Sequence, residues 1–291
     1  MLNKDQEQIA GGGAVAMQAG RDIVLHNGPS LSDITNLCDF LWKSNFPVLQ
    51  EEARRTAENN VLAFAAELNR KLEELQDKID TAKFGDPDVQ ATINDAVKAS
   101  ARKGDSANPT ILASLISERV STSTDDYMSI VFSESVQVVP RLTPAQISLL
   151  SLVIFVTHMG FGSLNNLEQL ETWGKLALSF SEPAFGMPDA QKRHIHYAGA
   201  AMVLGKSAVY ANSNLYDSKG ITYASLCDGV PFQQAVRKKA PSYAKILDQY
   251  IADKLVMVTL NSVGQAIALA NISRYFGRLD FGTWLNSNDM P

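Results

Sequence analysis

Residues 48–83 read VLQEEARRTAENNVLAFAAELNRKLEELQDKIDTAK, a run without proline or glycine. Val61, Ala65, Leu68, Leu72, Leu75 and Ile79 follow one another at alternating steps of four and three, with Glu and Lys beside them. That is a heptad stripe, and it predicts one long helix. A helix of roughly 35 residues would extend about 50 Å, more than a small domain is wide. Two placements satisfy such a stripe. It lies along its own body as half of an antiparallel hairpin, or it joins subunits as a coiled-coil stalk.

Upstream, residues 30–46 predict an amphipathic helix using Ile34, Leu37, Cys38, Leu41 and Trp42, with Ser30 as its N-cap and a break at Phe46-Pro47. Before it, residues 8–28 read QIAGGGAVAMQAGRDIVLHNG and differ from the rest of the chain. Three consecutive glycines oppose a helix. Val15 to Met17 and Ile23 to Leu25 predict short strands around a turn at Gly20. The expected product is a small hairpin or arch. Alone it is marginal in water, so it needs its own body or other chains to pair with.

Downstream, Gly85-Asp86-Pro87 ends the long helix and starts another with Val89, Ile93 and Val97. A loop at residues 103–109 marks a domain boundary. Helices are then expected near 109–122, 125–139, 143–160, 163–181, 188–204, 242–258 and 262–276. The fold class is therefore mainly α. Its parts are a β-forming assembly segment over 1–29, a long-helix region over 30–104 and an all-α domain over 105–291.

Composition sets the limits on function. The 291 residues are 45% hydrophobic and 20% charged, with a formal net charge of −5. That supports a large core and argues against a broadly basic nucleic-acid coat. Cys38 and Cys227 are the two cysteines. Lacking a CxxC pattern, they are expected as reduced thiols in or near the core, in a cytoplasmic setting. The uncharged stretches 147–161 and 255–273 are short or carry polar residues, so both are expected as buried helices rather than membrane spans.

Searches for chemistry return little. No phosphate-binding loop or nucleophile elbow is present. His194 and His196 would point in different directions on a helix and make a poor metal pair. Asp125 and Asp126 fit the start of a helix, where acids complement the dipole. No catalytic residue, metal or cofactor is expected. Two basic clusters, Lys192-Arg193-His194 and Arg237-Lys238-Lys239, are candidate phosphate contacts for a nucleotide or short nucleic acid. Val15, Met17, Ile23 and Leu25, with Val61, Leu68, Leu72, Leu75 and Ile79, are the candidate oligomerisation residues.

Three stretches resemble an incompletely characterised family of bacterial proteins of about this length. They are MLNKDQEQ with QAGRDIVLHNGPSLSDI (1–8, 18–34), RLTPAQISLLSLVIF (141–155), and LNSVGQAIALANISRYFG (260–277) with the closing Trp284. The overall design is also similar to effectors of the Hailong anti-phage system. That resemblance implies a homotetramer opening an ion-conducting pore, associated with the inner membrane. It also implies restraint by short single-stranded DNA or a nucleotide ligand, made by a partner nucleotidyltransferase. A soluble oligomeric scaffold that recruits a partner through the N-terminal β segment is the alternative.

Overall fold

A computed structural model describes residues 31–159, 164–204, 215–227 and 229–285. The expected β-forming segment, including Val15, Met17, Ile23 and Leu25, and the Ser30 cap lie outside these residues.

The described chain is mainly helical. In order it forms α1 (Leu31–Glu74), α2 (Pro87–Lys103), α3 (Pro109–Arg119), α4 (Asp126–Val138), α5 (Pro144–Thr157), α6 (Glu168–Ser181), α7 (Asp189–Ala198), β1 (Ala201–Val203), α8 (Leu215–Thr222), α9 (Phe232–Lys239), α10 (Pro241–Ala252), β2 (Val258–Leu260), α11 (Ser262–Phe276) and α12 (Phe281–Leu285). The chain divides into two compact units, Met1–Arg54 and Arg55–Pro291. The loop at 103–109 is a 3-10 turn inside the second unit, and α2 packs on both α3 and α4.

The long helix is present, with changed ends. It does not break at Phe46-Pro47 but runs on as α1. It stops at Glu74, and Ile79 falls beyond it in an isolated bridge to Ser121. The stripe meets the chain's own body. Phe64, outside the heptad register, is fully buried, and Leu68 packs on the same core. Val61, Leu72 and Leu75 are half-buried, and Ala65 is exposed.

The centre of the second unit is the pair α5 and α11. Residues 146–156 of α5 are all buried, as expected of a helix apolar on every side. Thr143 and Gln146 close a capping box at its start. The buried Asn271 amide donates to Ser151 Oγ at 2.9 Å, so the polar atoms inside this pair satisfy each other. Around the pair lie α3, α4, α6 and α10. Arg119 ties three helices: its guanidinium lies 3.0 Å from Asp88 and 3.3 Å from Ser133 Oγ, with its side chain almost wholly buried.

One small sheet was not anticipated. Gly199, at φ 92°, ends α7 early. Residues 201–203, expected within a helix reaching 204, then pair antiparallel with 258–260, at and just past the expected end of another helix at 258. Three-residue strands carry too little alternation to stand out in sequence. Cys227 is buried as expected, whereas Cys38 is exposed on α1. Among the described residues no helix is long and apolar enough to cross a membrane.

Candidate functional site

The two basic clusters are largely used by the fold itself. Lys192 is buried, and its ammonium donates to the Asp253 carbonyl at 2.7 Å with Asp189 at 3.6 Å. His194 Nδ1 lies 3.1 Å from the Gln146 amide nitrogen, while His196 Nδ1 accepts from the Val203 N–H, so the two imidazoles diverge. Arg237 donates to Asp248 at 2.8 Å, and Asp248 also accepts from the Tyr216 hydroxyl. Lys239 faces Glu168 at 3.8 Å. Arg193 and Lys238 are exposed, with no ion pair among the described residues. Lys192 and Arg193 border one cavity of about 230 Å³, while Arg237 borders a separate groove. The clusters therefore do not converge on one ligand.

A larger and more polar cavity, of about 530 Å³, opens elsewhere in the second unit. Three elements build its walls. The last turns of α1 bring Glu67, Arg70, Lys71 and Glu74; α3 brings Thr110, Ser114 and Glu118. The end of α11 and the segment after it bring Arg274, Arg278 and the apolar Leu279 and Phe281. Each placement follows from local structure. Residues 67, 70, 71 and 74 recur at steps of three and four and so share one face of α1. Ser114 and Glu118 stand one turn apart on α3 in the same way. Gly277, at φ 79°, ends α11 and turns Arg278 back over the cavity.

Burial grades the cavity from floor to rim. Glu118 is only 6% exposed and Ser114 7%, whereas Arg274, Arg278 and Arg70 are exposed. Among the described residues the Glu118 carboxylate has one ion partner, Arg278, at 3.7 Å, beyond hydrogen-bond distance. Burial pushes its pKa above the ordinary 4.5; Arg278, Lys78 and Lys71 pull it back, and nearby Asp280 raises it. On the α1 wall the charges cancel. Arg70 pairs with Glu67 at 2.6 Å and with Glu74, and Lys71 lies 3.1 Å from Glu74.

This cavity was missed in the sequence because its walls come from separated segments. One signal was available: Glu118 and Arg119 close an otherwise apolar helix, ILASLIS, where a buried charge needs a reason.

A pH effect follows. A carboxyl whose pKa is raised on folding gives up its proton first in the unfolded chain, so the folded state is penalised as pH climbs from 4.5 toward the raised value. Below 4.5 the penalty is absent. Glu118→Gln should therefore match wild type in acid and become relatively more stable as pH rises. Urea unfolding at pH 4 and pH 7 measures this. A stability difference that does not change with pH would contradict it.

The model of a family of unknown function matches residues 28–231 and 208–285, most of the chain. The chain belongs to this family. No curated protein and no solved structure matches it. Family membership thus fixes kinship over both α1 and the helical body, and leaves the activity to be argued from the molecule.

Proposed function

We propose that the chain is a self-assembling bacterial anti-phage effector that acts at a membrane as a ligand-gated pore, restrained by a short DNA or nucleotide ligand. The observation that carries the assembling part is the first half of α1. Leu37 is 56% exposed, Leu41 47% and Val48 66%, and steps of four and seven place them on one helical face. Phe40 and Leu49 flank them and are also exposed. A row of large apolar side chains in water marks an interaction surface. The occupant is a second copy of the chain, in line with the homotetramer that the resemblance implies.

This moves the assembly surface. The heptad stripe at 61–75 is half spent on the chain's own core, whereas Leu37, Phe40, Leu41, Val48 and Leu49 are exposed. With no spanning helix among the described residues, a pore has to be composed from segments of several copies. Of the restraining contacts, Arg193 and Lys238 are the two cluster members left for a phosphate.

Mass photometry of the full chain tests the reading, with Leu37→Glu/Leu41→Glu/Val48→Glu as comparison. Wild type should be oligomeric at micromolar concentration. Burial of each such side chain contributes about 1.5–3 kcal/mol, so the triple variant should lose at least about 4 kcal/mol of association, roughly a thousandfold. A monomeric wild type overturns assembly. Dye release from anionic liposomes tests the pore. Oligomers that never release dye would favour the soluble scaffold.

A further inference from the structure

We propose that the cavity between α1, α3 and α11 is a binding site for an α-amino acid or short peptide with an apolar side chain, its ammonium held by Glu118 and its carboxylate by Arg274 and Arg278. This assignment is independent of assembly, because every wall residue belongs to the second unit.

The charge pattern selects the ligand class. On the α1 wall two cations face two carboxylates and cancel. Among the residues that line the opposite wall there is one carboxylate, Glu118, and two guanidiniums, Arg274 and Arg278, a local excess of one positive charge, with Asp280 near Glu118 but outside the lining. A ligand with one carboxylate balances that excess. A phosphate monoester, with nearly two charges, would overshoot it and meet Glu67 and Glu74 across the cavity. A plain cation would meet both guanidiniums. The remaining requirement is a donor for the floor. Glu118 is a buried carboxylate with no hydrogen bond among the described residues. Such a group is costly unless something donates to it. An ammonium would do so, and its arrival would favour the ionised carboxylate. The Ser114 hydroxyl beside it also has no hydrogen-bond partner among the described residues and adds an acceptor for the same group.

The other features fit. Arg274 donates to the Asn271 side-chain amide oxygen at 3.2 Å and lies 5.8 Å from the Tyr275 ring centroid, and it can offer its outer edge to a carboxylate. Leu75, Leu279 and Phe281 give the cavity an apolar side. At about 530 Å³ it has the size of a small-molecule site and room for a side chain as well as the two charged ends.

The test is calorimetric titration of the full chain with the twenty amino acids and with leucyl-leucine and phenylalanyl-leucine. At least one apolar member should bind. Its N-acetyl and its carboxamide derivatives, each lacking one charge, should bind at least tenfold more weakly. Inorganic phosphate and methylamine should not compete. Glu118→Gln should weaken the same ligand tenfold or more. If that variant fails to fold, Arg274→Gln at the exposed rim decides with the same expectation. The proposal is overturned if no amino acid or dipeptide binds, if the N-acetyl form binds equally well, or if the folded variants bind like wild type.

Discussion

Gly264→Ala is expected to cost more than about 3 kcal/mol of stability, although the same change in an open helix gains roughly 1 kcal/mol. The reason is the approach of two backbones. A Cβ at position 264 would sit 1.9 Å from the Ala200 carbonyl oxygen and 2.9 Å from its carbonyl carbon. No rotamer relieves a clash with backbone. The contact is fixed from both sides. Asn261 caps α11 by accepting from the Gly264 N–H at 2.9 Å, and its amide donates to the Gly199 carbonyl at 2.8 Å. One residue on, Ala201 pairs with Leu260 in the small sheet. Moving α11 away from Ala200 would therefore break the cap and the sheet together. In a chain of this size the loss should lower the melting temperature by on the order of 10 °C. Gly85→Ala is the control, since a Cβ there meets nothing within 4 Å. Calorimetric melting of the two variants decides the matter, and similar melting points would refute the close-approach account.

That glycine shows where sequence reading stops. Small residues at 264, 266 and 268 announce that something comes close to α11, but not what. The partner is a backbone atom some sixty positions away, and the three-residue strands that bring it there leave no periodic trace. The helices themselves were legible. Apolar spacing, the Thr143 cap and the Pro144 start place α5, and its lack of charged residues correctly puts it in the core. The heptad stripe was legible as a helix and ambiguous as an interface. A period of three and four says that one face is apolar, whether that face meets its own body or another chain. Here Phe64 and Leu68 turn inward, and the exposed apolar side chains lie upstream, at Leu37, Phe40, Leu41 and Val48.

The candidate site was less legible for a different reason. Clustering along the chain drew attention to Lys192-Arg193-His194 and Arg237-Lys238-Lys239. Consecutive residues on a helix diverge, and most of these charges find local carboxylates or carbonyls instead. The cavity charges come from three separated segments, the end of α1, α3 and the end of α11 with Arg278 after it, brought together only by packing. Two features thus stand out in separate units: exposed apolar side chains on the first half of α1, and in the helical body a buried carboxylate, Glu118, with no hydrogen bond among the described residues. A ligand held by Glu118 on one side and bordered by Arg70 and Lys71 on the other would also stiffen the second half of α1 against α3.

Phe155→Ala is expected to have an effect as large as that of Gly264→Ala, by the opposite fault, a void in place of a clash. Phe155 is 1% exposed and sits where α5 meets α6, α10 and α11. Its ring lies edge-on to Phe180 at 6.0 Å and to Tyr243 at 6.2 Å, and tilted to Phe276 at 6.1 Å. Phe276 in turn stacks on Trp173 at 5.3 Å. Truncating a buried phenylalanine costs about 3–5 kcal/mol, and each lost aromatic pair adds roughly 0.5–1.5 kcal/mol where the neighbours cannot close the gap. They are poorly able to do so here, since the neighbouring rings are carried by three different helices, α6, α10 and α11, that would have to shift together. The expected loss is about 4–6 kcal/mol, measured by urea unfolding; a loss below about 2 kcal/mol would mean that the cluster repacks. Phe155→Leu should recover most of it. The damage should also reach the cavity. Phe276 lies between Arg274, which lines the rim, and Gly277, which turns the chain toward Arg278. Losing its support on Phe155 frees the last turn of α11, so both guanidiniums lose their fixed positions over Glu118 without any cavity residue having been changed.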